Sequence, residues 1–150
     1  MKTTFRLLLV LATLVALTSF VSAAASNSLG RVRVILIVAS NKKAEKDPKL
    51  TGFDANLRSL LRFESFRWVA EGTAAVPDSG VATVALVRDH KVELTADGRA
   101  IRATWFEGSK KVIALNLPEG PSVLGGPPWS DQGEVCAIIL LPEGSARGGK

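Results

Sequence analysis

Apolar and polar positions along the chain change period several times, and each change marks an element. Leu7 to Val21 is apolar for 15 positions except at Thr13, Thr18 and Ser19. Val32 to Ala39 alternates in its first half and is apolar on both sides in its second, which predicts a strand buried centrally in a sheet. Ser40 to Lys49 is polar and charged and contains Pro48, so it reads as a loop. The period then becomes helical. Phe53, Leu57, Leu60 and Leu61 recur at spacings that share one face, while Asn56, Arg58, Ser59 and Arg62 take the others. Thr51-x-x-Asp54 is a variant of the capping box, with Asp54 itself a candidate N-cap. A helix of about ten residues does not persist alone in water, so it must lie on a sheet.

From Phe63 onward the period is close to two. Phe66 and Trp68 fall on one face and Arg67 on the other, and Glu71 to Gly80, with Pro77 and Asp78, reads as a loop. Val81 to Val87 predicts a strand, Arg88 to Lys91 a tight reversal with His90 in it, and Val92 to Thr95 the strand that follows. Asp97-Gly98 predicts a type I′ hairpin into Arg99–Phe106, and Glu107-Gly108-Ser109 turns the chain into Lys111–Leu117. Pro118 to Gly133 is rich in glycine and proline, Val135 to Leu141 is a last apolar strand, and Glu143 to Lys150 is small and polar.

This order, β-α-β followed by a β-meander and a closing strand, predicts an α+β fold. It is mostly an antiparallel β-sheet covered by one short helix, and its second half either extends the sheet or curls into a sandwich. The expected organisation is a signal peptide over 1–23, a polar leader over 24–30, one domain over 31–142 and a disordered tail over 143–150.

Charge changes the picture chiefly at the start of the chain. Lys2 and Arg6 precede the 15-residue apolar run, and small residues around Ser22 to Ala25 follow it. That is the layout of a secretory signal, and the run falls short of the ~20 residues a membrane-spanning helix needs. The expected location is therefore secreted or periplasmic, without stable membrane insertion after cleavage. Losing residues 1–23 takes the basic count from 19 to 17 against 14 acidic, so the net charge falls from +5 to +3. A nucleic-acid binder needs a concentrated basic stripe. Here Lys42, Lys43, Lys46 and Lys49 are interleaved with Glu45 and Asp47, as in a solvated loop, so no nucleic-acid partner is expected.

Candidate chemistry is sparse. Cys136 is the single cysteine and stands in an apolar strand, where a thiol behaves as a small hydrophobe. His90 is the single histidine, so no imidazole-based metal site or cofactor is expected. Asp78, Asp89, Asp97 and Glu107 fall in turns, where Asp stabilises reversals. No nucleophile elbow, phosphate loop or dinucleotide fingerprint occurs. The segment Val123 to Gly133 stands out, since Gly125 and Gly126 adjoin Pro127 and Pro128 and present Trp129 on a loop. Trp at a rigid exposed position is a typical binding anchor. The alternative is that Trp129 folds back to cap the β core. Trp68 and Trp105 stand at inward-looking strand positions.

The element order, behind a bacterium-like export signal, is similar to that of small envelope modules such as the periplasmic ring domains of secretins. This likeness transfers no site residue. The expected function is a non-enzymatic binding or structural domain at the cell envelope or outside the cell. Its partner is a macromolecule, foremost a protein, and Gly125, Gly126, Pro127, Pro128 and Trp129 are the contact. The alternatives are a small secreted hydrolase using a carboxylate pair, and attachment to anionic polymers or headgroups through Arg31, Arg33 and the Lys42–Lys49 loop.

Overall fold

The computed structural model describes residues 28–143, so the expected signal peptide, the leader to residue 27 and the tail from residue 144 lie outside the described residues. Eight strands and one α-helix follow in the order β1 (Ser28–Ser40), a 3-10 turn (Pro48–Leu50), α1 (Asp54–Leu61), β2 (Ser65–Pro77), β3 (Val81–Ala85), β4 (His90–Asp97), β5 (Ala100–Glu107), β6 (Lys110–Asn116), β7 (Ser122–Pro128) and β8 (Val135–Glu143). They form two antiparallel four-stranded sheets, ordered β2-β1-β8-β7 and β3-β4-β5-β6. The architecture is α+β and mostly sheet, as expected. The meander makes its own sheet, so the second half forms a sandwich with the first, and the closing strand β8 lies between β1 and β7.

Hydrophobic burial explains the layering. On β1 and β8, Val32, Val34, Leu36, Cys136, Ile138 and Leu140 face the second sheet and meet Val84, Val92, Leu94, Ala103 and Trp105. The alternate residues Ile35, Ile37, Ala39, Ala137 and Ile139 face the other way and are covered by Leu50 of the 3-10 turn and Leu57 of α1. A strand buried on both faces must be apolar at nearly every position, as β1 is from Val34 to Ala39 and β8 from Val135 to Leu141. Each fully buried Val, Leu and Ile side chain among them contributes about 1.5–3 kcal/mol relative to exposure.

Several expectations need correcting. β1 begins at Ser28, so part of the expected leader is strand. The N-cap of α1 is Phe53, without a side-chain cap bond. Asp54 opens the helix and binds the Arg58 guanidinium at 2.9 Å instead. Phe53, Leu57 and Leu61 lie against the sheet, but Leu60 is 62% exposed, because so short a helix covers one row of side chains.

The expected loop over Glu71 to Gly80 is mostly strand. β2 pairs with β1 from Ser65 to Pro77, with a one-residue bulge at Val69. The bulge reverses the alternation. Phe66 and Trp68 belong to the helix-side cluster, whereas Ala70, Ala74 and Val76 belong to the sandwich-side cluster. Small residues are required there because β3 passes close by. A Cβ on Gly72 would stand 2.6 Å from the Val84 side chain.

The turn chemistry also shifts. The β4–β5 loop is Gly98-Arg99, with positive φ at Gly98 (63°) and not at Arg99, the II′ pattern rather than I′. The turn with positive φ at both central residues is Arg88-Asp89 (54° and 59°), closed by a bond from the His90 N–H to the Val87 carbonyl at 3.2 Å. His90 is therefore not a turn residue but the first residue of β4, and it is buried.

Candidate binding site at the turn end of the sandwich

Strand direction brings three turns to one end of the sandwich: Val87–Asp89 before β4, Gly108-Ser109 after β5 and Trp129–Gly133 after β7. The Gly108 N–H donates to the Asp89 carbonyl at 2.9 Å, which ties the first two together. The third is closed by the Trp129 N–H on the Glu134 carbonyl at 2.8 Å. Arg88 joins the first to the third, donating from its guanidinium to the Trp129 carbonyl at 3.0 Å.

Beneath these turns the aromatic groups are built in. Trp105 faces inward from β5 and is fully buried. Its indole N–H donates to His90 Nδ1 at 3.2 Å, with ring centroids 5.7 Å apart. His90 is 3% exposed and lies nearly parallel to Trp129, with centroids 6.0 Å apart and planes at 20°. The Arg88 guanidinium lies 3.8 Å from the Trp129 ring centroid, an arrangement that joins cation–π attraction to the carbonyl bond. A residue other than glycine in the left-handed region costs about 1–2 kcal/mol, and the two contacts to Trp129 offset that cost at Arg88.

The residues expected to form a contact loop divide between strand and turn. Gly125, Gly126, Pro127 and Pro128 all belong to β7, because the Gly/Pro-rich stretch is strand from Ser122 to Pro128. Gly126 has a packing role, since a Cβ there would collide with the Trp105 ring. The Pro127 carbonyl accepts the Cys136 thiol at 3.2 Å, and Pro128 stands opposite Val135. Trp129 starts the turn and is half-buried, packed against the sandwich core. It therefore folds back onto the core while one cation covers its ring.

Electrostatics separate the reactive groups from ordinary chemistry. Burial pushes the Cys136 thiol up to about 11, with the nearby Glu107 carboxylate acting in the same direction. A thiol so raised is a poor nucleophile near neutrality. Burial lowers His90 below its ordinary value, and Arg88 adds to this, whereas Glu107 and Asp89 oppose it. Asp78 and Asp97 lie at the end of the sandwich opposite Asp89 and Glu107. Among the described residues no group of three His, Cys, Asp or Glu side chains is placed to hold a metal ion. No helix among them is long and apolar enough to cross a membrane.

Two further features flank this end. An open cleft of about 580 Å³ is lined by Lys42, Lys43, Glu45, Asp47, Arg67 and Glu134, among others, and mixes both charges. Asp47 fixes its loop, accepting from the Trp68 N–H on β2 at 2.9 Å and from the Lys49 N–H at 3.0 Å. These bonds, the Trp68 one foremost, hold its carboxyl below the usual range. Trp68 itself has two cations near its ring, Arg33 and Lys49, each 5.6 Å from its centroid. Sequence reasoning missed both Asp47 as a staple and Arg88 as a site residue. An arginine in a two-residue turn without glycine carries no signal of its own.

No family model, no curated protein and no solved structure matches this chain, so the element-order likeness to secretin ring domains is not accompanied by a structural match.

Proposed function

We propose that this chain is an exported, non-enzymatic binding domain that acts at the cell envelope or outside the cell. It engages a protein partner through the turn end of its sandwich, with Trp129 as platform and Arg88 as the polar contact. The observation that carries this reading is the left-handed Arg88-Asp89 turn, which holds a guanidinium 3.8 Å from the centre of the Trp129 ring with backbone strain. Strain of this kind persists where the surroundings over-determine it, and it clusters at sites that bind. The Arg88 guanidinium spends one N–H group on the Trp129 carbonyl and is otherwise at the surface. A planar fork already immobilised loses little entropy when it accepts a carboxylate, so an acidic side chain is the chemistry that fits.

Arg88→Gly is the test, because glycine accepts the left-handed turn and removes the side chain that carries the guanidinium. Wild-type and Arg88→Gly chains are used as baits for envelope material, and the captured proteins are compared by mass spectrometry. A specific protein held by the wild type and lost with a folded Arg88→Gly chain supports the reading. Capture that is unchanged overturns it. Trp129→Ala is less discriminating, because Trp129 also packs on the core.

A further inference from the structure

His90 is a buried titratable group to which the proposed contact assigns no role, and its position under that contact gives it one. The Trp105 indole is a donor only, so the nitrogen it reaches, Nδ1, must carry a lone pair, and the imidazole proton of the neutral ring sits on Nε2. A proton taken from solvent by Nδ1 turns that acceptor into a donor facing another donor. The Trp105–His90 bond is then lost, and a positive charge is created where almost no water reaches. The groups facing it are Glu107 at the end of β5 and Asp89 in the turn, which favour the charge, and Arg88, which opposes it. Burial outweighs the two carboxylates. Trp129 already receives the Arg88 cation, so a second cation beside it adds repulsion.

We propose that His90 is a pH-operated latch beneath the Arg88–Trp129 contact: neutral, it holds Trp105 and Trp129 in place, and protonated, it releases both. The contact is then formed near neutrality and withdrawn in acid. This rests on the binding reading above for its purpose, although the titration itself needs no partner. The linkage sign agrees. A histidine whose folded-state pKa is depressed contributes its full stability above the unfolded value of 6.5 and loses it as the pH falls toward the folded value. The aspartates held by hydrogen bonds, Asp47 and Asp54, lose theirs only below 3.8, a separate window.

The experiment is an NMR titration of the untagged chain from about pH 7.5 to about pH 5, in which the single histidine identifies itself. The expected result is a sigmoidal shift of the His90 ring resonances with a midpoint below 6.5, accompanied by the Trp105 indole N–H. His90→Asn, which keeps an acceptor near the Nδ1 position without the titration, should leave the indole resonance flat. It should also retain partner capture at low pH, where the wild type loses it severalfold. Where His90→Asn fails to fold, the wild-type histidine and indole resonances decide alone. An indole resonance that stays fixed while the histidine titrates overturns the latch, as does a histidine that does not titrate in the folded chain. Capture that survives Arg88→Gly sinks the contact instead, so the two failures are distinguishable.

Discussion

Trp129 and Trp68 are both half-buried tryptophans attended by cations, yet the structure treats them differently. At Trp68 the cations come from β1 and the 3-10 turn at 5.6 Å, and Arg33 is already paired with Glu71 at 2.7 Å. The backbones of Arg33 and Lys49 are unstrained, and exposed pairs of this kind contribute little, about 0–1 kcal/mol. At Trp129 the cation is 3.8 Å from the ring, comes from a left-handed turn and also holds the Trp129 carbonyl. Beneath it lie a buried histidine and a second tryptophan in hydrogen-bonded contact. A cation near an aromatic ring is thus not in itself a site. What distinguishes Trp129 is a set of mutually dependent constraints.

The largest test of that dependence is Gly126→Ala. The added methyl collides with the Trp105 ring, which is buried and has nowhere to go. A loss of about 3 kcal/mol or more is expected in denaturant unfolding. A loss below about 1 kcal/mol would mean that the Trp105–His90–Trp129 stack is loosely held. Trp129→Ala should cost about 2 kcal/mol, less than a fully buried aromatic because Trp129 keeps some exposure. Trp68→Ala should cost less than Trp129→Ala, and the reverse order would erase the distinction.

The effect of Arg88→Gly on stability is smaller. Relief of the left-handed strain is worth about 1–2 kcal/mol. The greater freedom of glycine in the unfolded chain and the lost cation–π contact oppose it by comparable amounts. Stability should stay within about 1 kcal/mol of the wild type, so any lost binding is not a lost fold. Smallest of all, Lys49→Ala should shift stability by under about 0.5 kcal/mol, by the same unfolding measurement.

Much of the architecture was legible along the chain, and the misses have physical causes. The doubly apolar run of β1 announces a central strand because both faces are buried, whereas the apolar run of β8 left open which strands it joins, and the structure places it between β1 and β7. The second half of β2 was hidden for two reasons. A bulge at Val69 reverses the face of every later residue, and close passage of β3 demands small residues that resemble a loop. β7 was hidden by its Gly125-Gly126-Pro127-Pro128 composition, although Gly126 is glycine because a ring lies against it. Of the candidate site, Trp129 was visible as an isolated aromatic, whereas Arg88 was not, since its turn lacks the glycine that marks such geometry.

The period of apolar and polar positions, a local property of the chain, determined most of the strands, the helix and the α+β class, but not β7 or the second half of β2. Only the tertiary structure decided that the meander forms a separate sheet, that His90 lies between two tryptophans, and that residues 88, 90, 105 and 129 meet at one end. Those contacts depend on strand register and on which turns share an end of the sandwich. Both are set by the packing of the two sheets together, and no window of neighbouring residues contains them.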